Sequence, residues 1–66
     1  MMTSTEVKEG TLVKTGNTLG IILQDEMKFK NYNHYARVYY FNSSHHKDNP
    51  CWVFLGSLNN IERATK

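Results

Sequence analysis

Along this chain, apolar and polar positions change over in short runs bounded by Gly, Asn and Pro, and no segment carries the stripe of an amphipathic helix. Residues 10–26, GTLVKTGNTLGIILQDE, read as two strands joined by Thr15-Gly16-Asn17, because Gly and Asn accept the positive φ of a tight hairpin. The first strand is expected over 10–14 and the second from Thr18 to about Asp25. The second carries Leu19, Ile21, Ile22 and Leu23 on both faces, which predicts a central, strongly bent strand. Gly20 inside it suits a kink or a close backbone approach.

Residues 27–33, MKFKNYN, extend this hairpin and end in a loop around Asn31 and Asn33. Residues 34–41, HYARVYYF, give the strongest strand signal, with β-branched Val38 set among aromatics. Ala36, Val38 and Tyr40 share one face, and Tyr35, Arg37, Tyr39 and Phe41 share the other. The small Ala36 marks the first as the inner face. Residues 42–50, NSSHHKDNP, form a polar loop closed by the single proline, and 51–55 a fourth strand with Pro50 at its start, where a missing N–H is tolerated. Residues 56–60 suit one 3-10 turn, and 61–64 a short closing strand.

The opening residues, MMTSTEVKE, keep no period, so 1–6 are expected as a disordered tail and 7–66 as the folded domain. Five short strands, hairpin connections and one turn before the last strand predict an all-β fold, a small five-stranded barrel. Closing the sheet on itself would remove most exposed edges.

A chain of 66 residues supports one core. Such a core contributes only about 3–5 kcal/mol, and small domains often gain the rest from a disulfide, a metal or a partner. The single cysteine, Cys51, excludes an internal disulfide and points to a reducing compartment. No run approaches the roughly 20 apolar residues of a membrane span, and the N-terminal segment lacks the apolar stretch of a signal peptide. A cytoplasmic protein is the expectation. The net charge of +2 falls short of the basic stripe of a dedicated nucleic-acid binder.

The pattern resembles an SH3-like barrel over roughly residues 7–64. VKEGTLVKTGNTLGIIL is similar to the KOW hairpin, with Gly10, Gly16, Gly20 and Ile22 where that pattern wants them. Thr15, Asn17 and Thr18 stand where KOW sequences often carry Lys or Arg. ARVYYFNSSHHKDNPCWVFLGSLNNIE resembles the ending of many small SH3-like proteins: an aromatic strand, a loop, a Trp-Val strand, a leucine turn and a closing Ile-Glu. Short phage-encoded proteins of this form, and a barrel subunit of photosystem I, have a comparable size and ending. The resemblance implies fold more than function, since this fold hosts unrelated activities.

Strand alternation places Tyr35, Arg37, Tyr39 and Phe41 outward, together with Trp52 and Phe54. These six are the candidate partner-binding residues, because aromatics and Arg dominate binding hot spots. Lys28, Phe29, Lys30, Tyr32 and Arg37, with His34 and Tyr35 between them, interleave cations and rings as single-stranded nucleic acids require, although Asp25 and Glu26 dilute the field. His45, His46 and Cys51, with His34, offer metal-ligand chemistry, but adjacent histidines diverge and no second thiol completes a zinc knuckle. No metal or cofactor is expected. No paired acids, phosphate loop or oriented nucleophile is present, so no enzymatic activity is expected either.

The expectation is a small adapter or regulator that docks on a larger protein through its aromatic face, a host protein if the chain is phage-encoded. Its rivals are a KOW-type binder of RNA or single-stranded DNA and a structural subunit of a larger assembly. The sequence leaves a monomer or a homo-oligomer open.

Overall fold

A computed structural model describes residues 1–41 and 49–61. Its strands are β1 (Leu12–Thr15), β2 (Thr18–Lys30), β3 (Asn33–Tyr40), β4 (Cys51–Phe54) and β5 (Asn59–Asn60). Single 3-10 turns span Ser4–Glu6 and Leu55–Ser57. All five strands join one antiparallel sheet in the order β4-β3-β2-β1-β5, so the all-β reading holds and β2 is central. The expected closed barrel is corrected: among the described residues β4 and β5 remain the two edges of an unclosed sheet.

The inner face is built in rows set by register. Val13 faces Gly20, which faces Tyr40; Ile22 faces Val38, which faces Cys51; Met27 faces Ala36, which faces Val53. Val13, Ile22, Ala36, Val38 and Tyr40 are buried, with Met27, Cys51 and Val53 packed against them. This confirms the inner face read from Ala36. Leu55, on the second 3-10 turn, and Leu58, just after it, complete the core from the C-terminal side.

Gly20 makes a close approach, as expected, and has room for no side chain. A Cβ there would stand 2.9 Å from the Tyr39 carbonyl oxygen and 3.1 Å from Cδ1 of Tyr40. The bend of β2 lies elsewhere. Between the pairs Ile22–Val38 and Met27–Ala36, β2 inserts residues 23–26 opposite the single residue Arg37 of β3. Extra residues on one strand bend it and raise its twist, so the sheet turns after Ile22. β2 also runs past Asp25 to Lys30. It stops at Asn31 and Tyr32, whose φ values of 53° and 66° form a two-residue hairpin turn with both central residues left-handed.

Residues 1–6, expected as a disordered tail, are instead packed on the sheet. Met2 is only 2% exposed, and its N–H donates to the Leu55 carbonyl at 3.2 Å. Glu6 fastens the turn: its Oε1 accepts from the Thr3 N–H at 2.8 Å, and its Oε2 from the Asn60 amide at 3.1 Å. The segment escapes periodicity because it contributes two core side chains, Met2 and Val7, through one short turn.

The 3-10 turn begins at Leu55, one residue earlier than expected, and the described closing strand is Asn59–Asn60. The 42–48 stretch with His45 and His46, and residues 62–64 of the expected closing strand, lie outside the described residues. Asn49, the first described residue of the second stretch, acts as a strand mimic. Its Oδ1 accepts the Tyr40 N–H at 2.9 Å and its Nδ2 donates to the Tyr40 carbonyl at 2.8 Å.

Candidate functional site

The same register that fills the inner face sets the outward one. Lys28 of β2 lies opposite Tyr35 of β3, which lies opposite Phe54 of β4. In the next row Arg37 of β3 faces Trp52 of β4. Four of the six expected partner-binding residues, Tyr35, Arg37, Trp52 and Phe54, therefore share one patch. The Tyr35 and Phe54 rings are 6.1 Å apart and tilted by 53°.

Trp52 is the hub of this patch. The Arg37 guanidinium carbon lies over its ring at 5.4 Å from the centroid, and Lys28 Nζ at 5.7 Å. A cation at that range is attracted to the negative face of the indole, which restrains both long side chains and leaves their N–H donors open to an anion. Beside Trp52 is an open cleft of about 260 Å³, lined by Lys28, Lys30, Asn31, Tyr35 and Trp52. Among the described residues no carboxylate forms an ion pair with Lys28, Lys30 or Arg37. Asp25 turns away from them and accepts the Glu9 N–H at 2.6 Å. Glu26, exposed and two residues before Lys28, is the acidic neighbour along the strand.

The other two expected partner residues, Tyr39 and Phe41, continue the outward face at the far side of Arg37. Their rings are 6.4 Å apart, edge to face, and both are exposed. They do not stand alone. Tyr39 faces Ile21, which faces Leu12, and the Phe41 N–H donates to the Leu19 carbonyl at 2.9 Å, which brings Leu19 alongside. Leu12, Leu19 and Ile21 were absent from the expected site. The both-faced apolar run 19–23 suggested a strand buried on each side, yet only Gly20 and Ile22 are buried. The parity of Gly20, which must point at Tyr40, is the signal that would have put Leu19 and Ile21 outside.

The expected nucleic-acid set divides. Lys28 and Arg37 lie over the Trp52 ring, and Lys30 lines the cleft beside it. Phe29 points to the opposite side of the hairpin, with its ring 4.8 Å from His34. Tyr32 occupies the hairpin tip, 94% exposed, in the left-handed conformation. The remaining described metal candidates are also dispersed, since His34 pairs with Phe29 while Cys51 packs on the core.

The outward face thus has a cationic, aromatic zone centred on Trp52 and an apolar zone centred on Tyr39, joined along β3. Among the described residues, no helix is long and apolar enough to cross a membrane. Compared with known proteins, the chain matches no family model, no curated protein and no solved structure.

Proposed function

We propose that this protein is a non-enzymatic docking module, an SH3-like sheet in its open form, that binds a larger protein through the outward face of β3 and its neighbours. The observation that carries this reading is the continuity of that face: Leu12, Leu19, Tyr39, Phe41 and Phe54 are all exposed on it, and Trp52 and Arg37 lie between the apolar residues. Exposed apolar groups joined into one patch and rimmed by cations match a protein interface better than an ordinary surface. A cytoplasmic adapter or regulator fits a small fold whose single cysteine excludes an internal disulfide, and a phage-encoded origin would make a host protein its target.

The test is affinity capture with the whole protein as bait, in parallel with Phe41→Ser and Trp52→Ala variants checked for an unchanged melting profile. A protein retained by the wild type and lost by both variants supports the reading; equal retention by folded variants overturns it.

A second reading, binding of RNA or single-stranded DNA, is favoured by one observation: Lys28 and Lys30 line the same cleft as Tyr35 and Trp52. Its signature is affinity that falls steeply with added salt. It ranks second because Lys28 and Arg37 already lie over the ring on which a base would stack, and because it leaves the Tyr39 zone uncovered.

A further inference from the structure

Resting on the docking reading, we propose that the partner presents an acidic segment next to an apolar one. Its carboxylates would meet Lys28, Lys30 and Arg37, and its aliphatic or aromatic side chains would cover Leu19, Tyr39 and Phe41.

Charge complementarity carries the argument. Lys28 and Arg37 lie over Trp52 and Lys30 lines the cleft beside it, with no ion pair from any of the three to a carboxylate among the described residues. Lys28 and Arg37 are held over a neutral ring, so their position costs the partner little ordering entropy. A guanidinium presents a planar fork of donors suited to a carboxylate. Asn31, which also lines the cleft, adds an amide that can donate to the same group.

The neighbouring zone sets the second requirement. Along β3 the outward positions run Tyr35, Arg37, Tyr39, so the cationic and apolar zones are consecutive on a single strand. A strand rises about 3.3 Å per residue, so Arg37 and Tyr39 stand roughly 7 Å apart along the strand axis. An extended segment would span both zones within a few residues. A purely acidic ligand would leave Leu19, Tyr39 and Phe41 in water, and a purely apolar one would bury the unpaired cations at a penalty.

Trp52 is the single tryptophan of the chain, so its emission reports directly on the site. The experiment titrates the full protein with a synthetic peptide whose Leu/Phe-rich half is followed by a Glu-rich half. Parallel titrations use the same peptide with Gln for Glu, the same peptide with Lys for Glu, and oligothymidylate. The Glu peptide is expected to bind at least about tenfold more tightly than the Gln peptide and to lose affinity with salt. The Lys28→Glu/Lys30→Glu double variant should reverse the preference toward the Lys peptide, an outcome that requires a folded protein. Equal binding of the Glu and Gln peptides overturns the acidic requirement while leaving apolar docking intact. Binding of oligothymidylate in place of the peptides overturns both readings. No response to any peptide overturns the inference alone, because a protein captured through Phe41 and Trp52 would still establish docking.

Discussion

The Gly20 α-carbon leaves so little room beneath Tyr39 that an added Cβ would come within 2.9 Å of the Tyr39 carbonyl oxygen. Val38 Cγ1, at 3.0 Å, and the Tyr40 ring close the other sides. Backbone cannot withdraw as a flexible side chain can, so Gly20→Ala should separate β2 from β3. A loss of about 1–3 kcal/mol is expected from chemical denaturation. A variant as stable as the wild type would mean that the inner rows are packed differently.

The N-terminal segment is part of the core rather than an appendage. Truncating a buried methionine generally costs about 2–5 kcal/mol, and Met2→Ala should fall in that range because Met2 is only 2% exposed and belongs to the core cluster. Glu6→Gln keeps the shape of the turn and weakens its charge-assisted bonds to Thr3 and Asn60, so it should cost less than Met2→Ala. Thermal melts of the two variants give the order.

Tyr32 sits at φ 66°, a conformation glycine adopts freely and a bulky residue at a cost of about 1–3 kcal/mol. Glycine loses part of that gain through its freer unfolded chain. Tyr32→Gly is therefore expected to stabilise the protein by about 1 kcal/mol, measured as a higher denaturation midpoint. A lower midpoint would show that the Tyr32 ring contributes contacts that offset its strain.

Tyr40 gives the fold a dependence on alkaline pH. Burial raises its phenol above the ordinary value of 10.0, the hydroxyl contact with Thr15 at 2.9 Å pulls it down, and Cys51 adds to the rise. A raised folded value means that the native state holds this proton more tightly than the unfolded chain. That stabilisation is fully present below pH 10 and is lost as pH rises through the folded value. Melting temperature should fall above pH 10 in the wild type and fall less in Tyr40→Phe. Parallel falls would assign the alkaline loss to other groups.

Much of this fold was legible because strands expose their logic locally. The Gly16-Asn17 turn fixed the β1–β2 hairpin, Ala36 marked the inner face of β3, and Gly20 signalled a close approach. Two features were not legible, for physical reasons. The bend after Ile22 follows from a mismatch of strand lengths, four residues against one, which no local preference encodes. Met2 is buried only because the Leu55–Ser57 turn offers it a surface and a backbone acceptor. In the site, Tyr35, Arg37, Trp52 and Phe54 followed from alternation. Their convergence with Lys28 and Lys30 did not, because it depends on where β2 resumes its register after the bend. Two separate sequence signals, one aromatic and one basic, thereby became parts of one surface.

Hydrogen–deuterium exchange of the protein, alone and with a captured partner bound, tests docking through the outward face most directly. Slower exchange is expected at Leu19 and Ile21, along Tyr35 to Phe41 and at Trp52 to Phe54, with residues 1–11 and 55–60 unchanged. Protection centred on the N-terminal segment and the Leu55–Ser57 turn, with β3 and β4 unaffected, would contradict it.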